Sequence, residues 1–220
     1  MTISTPKQPV EKKPISEKKS GAKDAVLNIF HELMREKGYG KITVQDILKR
    51  AQIGRTTFYA HFTSKEDVLK ESINRLRDSL IEAVKTEAVK AEAAKNDAVH
   101  KMPIKTPALK FTFHFFNHIL SHHKLYDDIV GRDDFFIFER YFLRMLADLV
   151  SRELVVRELT APQKTNSKRI KIELSIQHLI GAIWSTSIWA LERKNLPVSA
   201  IDEHFQKMAF TGLENTLKTL

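Results

Sequence analysis

Cysteine is absent from the 220-residue chain, which excludes a disulfide framework and thiolate chemistry. Long apolar runs are absent as well: no stretch reaches the ~18 residues that a membrane-spanning helix needs. The first residues also lack the apolar core of a secretion signal. We therefore expect a soluble, cytoplasmic protein without a membrane partner.

Glycine and proline are scarce, with seven residues of each type. Three of the prolines and five lysines fall within the first 20 residues, where few apolar side chains are available for a core. We predict that residues 1–20 form a disordered basic tail, which either contacts nucleic-acid phosphates or only solubilises the chain. After the tail, long segments of helical periodicity predict an all-α fold, with order beginning near Ala22.

Positive charge is concentrated in the first third of the chain. Residues 1–65 contain 13 Lys and Arg against six Asp and Glu, whereas the remaining 155 residues contain 23 against 21. Most of the formal net charge of +9 therefore lies in the N-terminal part. Such a field favours an anionic polymer as partner, and a solvated basic face without any ligand is the alternative.

The strongest motif of the chain lies in residues 41–67, KITVQDILKRAQIGRTTFYAHFTSKED. Thr43 followed by Asp46 matches a capping box, in which the two side chains satisfy backbone N–H groups at a helix start. The pattern predicts a short first helix from Thr43. Its apolar residues recur at the spacing of one helical face: Val44, Ile47, Leu48 and Ala51.

A turn and two further helix starts follow in the same segment. Gly54 can adopt backbone conformations that bulkier residues resist, so we predict a turn there and a second helix from about Arg55. A third helix starts at Thr63 or Ser64, each of which has an acidic residue three positions later. Two short helices joined by a tight turn form a geometry that places one helix against DNA.

The second helix separates apolar from polar side chains. Phe58 and Phe62 lie on the same side as Ile53 and are the predicted core contacts. The other side chains carry hydroxyl, phenol, imidazole and guanidinium groups, which suit phosphate oxygens and base edges. They are Arg55, Thr56, Thr57, Tyr59 and His61. The alternative is a helical hairpin inside an ordinary core, with Tyr59 and His61 only decorating its surface.

The run AQIGRTTFYAHF at residues 51–62, with Ser64, Lys65 and Glu66, resembles the DNA-binding signature of the tetracycline-repressor (TetR) family. The core of the match is Phe58, Tyr59, His61, Phe62 and Lys65. The resemblance implies an all-helical, homodimeric transcriptional regulator whose third helix enters the major groove. It also implies a larger C-terminal domain that binds a small-molecule effector.

From this resemblance we predict two roles for the polar residues. The predicted phosphate anchors are Tyr59, His61, Lys65 and Thr43. The predicted base readers are Arg55, Thr56 and Thr57. A homodimer would place two such heads in successive major grooves of a pseudo-palindromic operator and repress transcription. The effector would favour an arrangement with lower DNA affinity.

The predicted domains are the tail at 1–20, a helix-turn-helix DNA-binding domain at 21–68 and a helical ligand-binding and dimerisation domain at 69–220. A long helix from residue 64 to about 98 links the last two. The C-terminal helices are predicted at about 107–123, 125–130, 133–159, 167–194 and 199–217.

Aromatic residues of the C-terminal part are candidates for the wall of a pocket for an apolar or aromatic effector. The candidates are Phe115, His118, Phe138, Tyr141 and Trp184. For any one of them, packing in the core is the alternative.

Three histidines are the only constellation in the sequence that suggests metal chemistry. His114, His118 and His122 are spaced one helical turn apart, and a pair at this spacing can share an ion. The first and last are separated by about 12 Å along a helix, too far for one ion. We therefore expect no metal and no other cofactor.

For self-association, the resemblance implies that the helices at 167–194 and 199–217 pair with their symmetry mates in a four-helix bundle. Burial of the same faces inside one subunit is the alternative. The apolar residues concerned are Ile172, Ile176, Leu179, Ile180, Ile183 and Ile188, then Ile201, Phe205, Met208, Ala209, Leu213 and Leu217.

The predicted function is sequence-specific regulation of transcription by a DNA-binding repressor, not catalysis. Two alternatives are a helical metal-binding protein or enzyme that uses the three histidines, and a helical adaptor without DNA affinity. Metal content after purification separates the first alternative from the regulator. Salt-dependent retention on duplex DNA separates the second.

Overall fold

The computed structural model describes residues 15–95, 109–158, 166–193 and 195–218, and every regular element in these ranges is an α-helix. This confirms the predicted all-α fold. None of the helices combines the length and apolar composition that a bilayer crossing requires. The helices are α1 (Ile15–Lys37), α2 (Val44–Ala51), α3 (Arg55–Tyr59), α4 (Lys65–Lys95), α5 (Thr112–Ser121), α6 (His123–Ile129), α7 (Phe135–Glu158), α8 (Asn166–Leu191) and α9 (Val198–Lys218).

The first helix starts earlier than the sequence predicts. Residues 15–20 are helical and continuous with the stretch from Ala22, so the predicted disordered tail is too long. Residues 1–14 lie outside the described residues. Once a helix has nucleated, each further residue adds a backbone hydrogen bond, so a helix can extend beyond its buried part into a polar segment.

Helices α1 to α3 and the first turn of α4 form the head, which packs around one apolar core. The apolar stripe of α1 is buried, and Phe58 of α3 packs in the same core without solvent exposure. Two ion pairs hold α2 against α1 at the rim, Arg50 with Glu36 at 2.5 Å and Lys37 with Asp46 at 2.7 Å. The head is therefore a three-helix platform with α3 on one side.

The rest of α4 and helices α5 to α9 form the body. Helix α5 buries Phe115 and Phe116. Its start is fixed to α9 by Gln206, whose amide donates to the carbonyl of Leu109 at 2.8 Å and accepts from its N–H at 3.0 Å. Residues 96–108, where the predicted α5 begins, lie outside the described residues.

Head and body are joined by polar contacts as well as by the continuous helix α4. The loop between α6 and α7 reaches the turn that ends α1. There Arg132 donates to the carbonyl of Arg35 at 2.7 Å, and the Asp134 carboxylate accepts from the N–H of Gly40. We call this pair of contacts the strap. The predicted domain boundary after residue 68 falls inside α4 and stays a prediction.

Left-handed backbone occurs at Gly38 and Gln52, not at Gly54. Gly38 has a φ of 77° and closes α1, where its N–H donates to Met34. Gln52 has a φ of 54° and closes α2 through a bond from its N–H to Leu48. Gly54, with a φ of −76°, is in extended backbone that any residue adopts. The predicted turn is present, but its left-handed residue is the one that ends α2.

We expect Gly38→Ala to lower the free energy of unfolding by about 1–2 kcal/mol, because an L residue is strained at a positive φ. A Cβ there would also lie 3.0 Å from Cδ of Arg132. Gly54→Ala is the matched control, since nothing lies within 4 Å of its Cβ. Its stability should change by less than about 0.5 kcal/mol, because the gain of about 0.4–1 kcal/mol from a less flexible unfolded chain is offset by the poorer N-cap that Ala provides for α3. Equal losses for both variants in urea unfolding would contradict this account.

Candidate nucleic-acid interface

The predicted capping box is present at the start of α2. The Thr43 hydroxyl accepts from the N–H of Asp46 at 3.1 Å, and the Asp46 carboxylate accepts from the N–H of Thr43 at 2.7 Å. The Thr43 hydroxyl also donates to this carboxylate, at 2.6 Å. The Lys37 ammonium and the Thr43 donors hold the pKa of Asp46 well below its ordinary value. Thr43 therefore caps α2 with its hydroxyl proton engaged, and its phosphate contact stays a prediction.

Helix α3 presents two faces, as the sequence predicts. Phe58 is fully buried and Phe62 is buried beside it, with ring centroids 5.6 Å apart. The Tyr59 ring stands at 90° to that of Phe58 and is 56% exposed. Arg55, like the two threonines after it, is exposed.

The exposed side chains of this face have no polar partners within the described part of the chain. They are Arg55, Thr56, Thr57 and Tyr59, and the half-buried imidazole of His61 also forms no hydrogen bond there. Hydroxyl, phenol and guanidinium donors on one face of a helix are therefore available to another molecule. A helix carrying such donors has the width and chemistry that the major groove of DNA accepts.

Lys65 does not belong to this exposed face. Its ammonium donates to the carbonyls of Tyr39 at 2.9 Å, Gly40 at 3.2 Å and Ile42 at 2.8 Å, which uses all three of its donors. It also lies 4.5 Å from the centroid of the Tyr39 ring, and desolvation lowers its pKa. Lys65 therefore fastens the turn between α1 and α2 to the start of α4, and its role as a phosphate anchor stays a prediction.

The start of α4 is capped by Ser64. Its hydroxyl accepts from the N–H of Asp67 at 3.2 Å, as one of the two predicted capping pairs requires. Thr63 also uses Asp67, to which its N–H donates at 3.0 Å, and not Glu66. These hydrogen bonds from Thr63 lower the pKa of Asp67. The chain after α3 is thus fixed by Asp67 together with the Lys65 contacts.

The segment that carries this geometry matches a known family. Residues 31–72 match the model of bacterial regulatory proteins of the tetR family. The matched residues make up about a fifth of the chain. Over 80 residues it is 30% identical to YxbF, an uncharacterised HTH-type transcriptional regulator of Bacillus subtilis. That alignment covers 36% of this chain and 21% of YxbF, so the chain spans about a fifth of this relative's length.

Solved structures show the same fold over most of this chain. A TetR transcriptional regulator from Streptococcus agalactiae has a TM-score of 0.56 and 23% identity, and the match covers 89% of this chain and 97% of that one. RolR in complex with resorcinol has a TM-score of 0.50 and 16% identity, over 89% of each chain. The family consists of transcriptional regulators, not enzymes, and its members bind DNA and form dimers.

A cavity of about 300 Å³ lies at the junction of head and body. Of the predicted effector-pocket residues, His118 and Phe138 line it. Phe115 is fully buried beside Phe142, and the Tyr141 hydroxyl donates to Glu66 at the start of α4. Phe115 and Tyr141 do not line this cavity, and their place in an effector pocket stays a prediction, because helical periodicity does not distinguish a cavity wall from a packed core.

Trp184 also has structural contacts in place of the predicted ligand contact. Its ring is stacked on Phe135 at 5.9 Å, and its indole N–H donates to Glu139 at 2.8 Å. The sequence analysis missed the contribution of α1, which lines the cavity with Phe30 and His31. Both lie in a stripe that has the spacing of an ordinary core, so no signal in the sequence could have identified them.

The three histidines do not converge on a common point. His118 Nε2 pairs with the Tyr126 hydroxyl at 3.0 Å, and His122 Nδ1 pairs with the His118 carbonyl at 2.9 Å. His114 Nε2 lies 3.3 Å from a carboxylate oxygen of Glu87 but without hydrogen-bond geometry. Among the described residues no group of three His, Cys, Asp or Glu side chains is arranged to hold a metal ion.

Six of the ten apolar residues predicted for self-association whose side chains the structure describes are buried inside the subunit, as in the alternative interpretation. They are Leu179, Ile180 and Ile183 in α8 and Ile201, Phe205 and Ala209 in α9. Ile172, Ile176 and Ile188 are half-buried, and the side chains of Leu213 and Leu217 lie outside the described residues. Met208 is 77% exposed. Helix α8 exposes a different stripe, formed by Ile170, Leu174, His178, Gly181, Ser185 and Trp189.

We expect Lys65→Met to lower the free energy of unfolding by about 2 kcal/mol, because three carbonyls lose a charged donor. The slope of log affinity for DNA against log salt should stay unchanged, since no phosphate contact is removed. Lys49→Met on the exposed side of α2 is the control and should leave stability unchanged. A Lys65→Met variant that keeps its stability but shows a shallower slope of log affinity against log salt would instead support the predicted phosphate contact of Lys65.

Proposed function

We propose that this chain is a homodimeric transcriptional repressor that binds a pseudo-palindromic DNA operator and is released by a small-molecule effector. It acts by binding and not by catalysis. One observation carries the proposal: the polar side chains along α3 are exposed and without intramolecular partners in the described structure, while Phe58 holds the opposite face in the core. Two such heads at the spacing of one DNA turn would enter successive major grooves.

The proposed roles follow from which donors are available. Arg55, Thr56 and Thr57 at the start of α3 read base edges, since the first residues of a recognition helix reach deepest into the groove. Tyr59 and His61 at its end contact phosphates. Thr43 and Lys65 act as positioning residues, because their donors are engaged within the head.

The proposed dimer uses the exposed stripe of α8 and the adjoining face of α9. Ile170 is 56% exposed, Leu174 63% and Met208 77%. Apolar side chains at this exposure are covered when a second subunit packs against them. Gly181 lies at the middle of the stripe with nothing within 4 Å of its Cβ, which supports close approach of two α8 helices.

Release by an effector is supported by the junction cavity, which lies between the head and the body. A ligand that binds one head arrangement more tightly than another shifts the protein toward that arrangement. The complex of RolR with resorcinol supports a small organic effector for a protein of this fold.

Selection of bound fragments from random duplex DNA tests the function directly, and we expect two related half-sites in the fragments. Tyr59→Phe, which removes one hydroxyl, should weaken binding to all fragments by a similar factor, roughly five- to tenfold. Thr57→Ala should cost about 1–3 kcal/mol of discrimination at one base pair of each half-site. Failure to enrich any fragment, or a uniform effect of Thr57→Ala, would contradict the proposal.

Gly181→Glu should convert the dimer into a monomer, because it places a charge at the centre of the proposed twofold contact. The subunit should keep its stability, since Glu favours a helix by up to about 1 kcal/mol over Gly. Gly21→Glu in α1 is the matched control, at a helical glycine with equally open surroundings. Sedimentation velocity measures the mass, and a dimeric Gly181→Glu variant would exclude this interface.

A further inference from the structure

The head itself forms one wall of the junction cavity. Helix α1 contributes Phe30, His31 and Met34, and α7 contributes Phe138 and Phe142. At about 300 Å³ the cavity is at the lower end of the range for small-molecule sites. A ligand group in this space would touch the DNA-binding head and the body at the same time.

Two hydrogen-bonded pairs introduce polar atoms into this mostly apolar wall. His31 Nε2 lies 2.5 Å from the Ser72 hydroxyl, and His118 Nε2 lies 3.0 Å from the Tyr126 hydroxyl. Burial lowers the pKa of both imidazoles, that of His118 to about 4, so both are neutral at neutral pH. These pairs therefore provide hydrogen-bonding groups without charge.

A second, polar pocket opens beside the cavity. The two share His31, His122 and Leu125, so they meet at these side chains. The polar pocket contains the cations Arg35 of α1 and Lys124 of α6. Neither of them forms an ion pair with a carboxylate in the described part of the chain.

The other charges of the two pockets have ion-pair partners. Arg75 at the cavity edge lies 2.6 Å from Asp24, and Glu32 in the polar pocket lies 3.5 Å from Arg50, which also pairs with Glu36 at 2.5 Å. With two cations, Arg35 and Lys124, against the one carboxylate of Glu32, the mouth of the cavity keeps a net positive charge beside an apolar interior. An anionic group at the end of an apolar body matches this arrangement.

We propose that this junction is the effector site and that it takes a small amphipathic carboxylate. The apolar part lies between α1 and α7, and the carboxylate lies at Arg35 and Lys124. The inference rests on the proposed function, to which it adds the chemical class and the location of the effector. It narrows the apolar or aromatic effector that the sequence predicts to one with an anionic end.

The location gives the ligand a direct effect on the head. The strap, formed by Arg132 and Asp134, crosses the same junction from the loop after α6, and α6 lines the cavity. A ligand between α1 and α7 binds best at one separation of these helices, so it favours one orientation of the head. The ligand therefore changes the orientation of the head by direct contact, and no conformational change has to be transmitted through the body.

Calorimetric titration of the full chain with decanoate, decan-1-ol and decylammonium tests the ligand chemistry in the absence of DNA. Decanoate should bind at least about tenfold more tightly than decan-1-ol, because its charged end gains hydrogen bonds to cations. Decylammonium should bind most weakly. Equal affinity for decanoate and decan-1-ol, or no binding of either, would overturn the proposal.

Variants then locate the site. Arg35→Gln with Lys124→Gln should reduce the affinity for decanoate to that for decan-1-ol and leave the alcohol unaffected. Lys85→Gln with Lys110→Gln is the matched control, since it removes the same charge from the rim of a separate apolar cavity. Loss of decanoate binding in this control but not in the first variant would overturn the location. Ser72→Leu, which fills the cavity, should weaken both ligands.

The same wild-type protein also separates this proposal from the proposed function. Fluorescence anisotropy on the selected DNA fragments measures DNA binding independently of the calorimetry. Binding of decanoate without binding of DNA would overturn the regulator and support the ligand site. Binding of DNA without binding of decanoate would support the regulator and overturn the ligand site.

Discussion

Burial of Phe58 is the interaction on which the candidate interface depends. Helix α3 has five residues, too few for a helix that is stable on its own in water. Its conformation is therefore maintained by packing against α1 and the other helices of the head, where Phe58 is fully buried. The direction of the exposed polar side chains follows from that one anchored ring, since successive helical positions point in fixed directions.

Polar contacts complete what this packing begins. The turn before α2 would be free to move if only apolar side chains held the head together. Lys65 binds three carbonyls of the turn before α2, and Asp46 closes the capping box at its start. A charged group that uses all its hydrogen-bond donors fixes the positions of the groups that it binds, in addition to stabilising them. Lys65 and Asp46 therefore orient α2 and, through it, α3.

The junction between head and body combines rigidity with a space for a ligand. Helix α4 is continuous through it, whereas the strap connects the two parts by hydrogen bonds at the surface. Surface hydrogen bonds contribute about 1 kcal/mol each, which is small enough for a bound ligand to offset. The cavity lies between these two connections, where a small displacement of α1 changes the position of the whole head.

The sequence by itself determined the helical class, the capping box at Thr43 and the two faces of α3. These features depend on local periodicity and on hydrogen bonds between residues close in the chain, so the order of residues is sufficient to predict them. Only the tertiary structure decided that Lys65 binds the turn near Tyr39, that α1 lines the cavity and that α8 buries Ile180 and Ile183 and exposes Gly181. Each of these three features depends on which helices pack against one another. When a helix has apolar residues on two sides, its sequence does not show which side faces its own subunit.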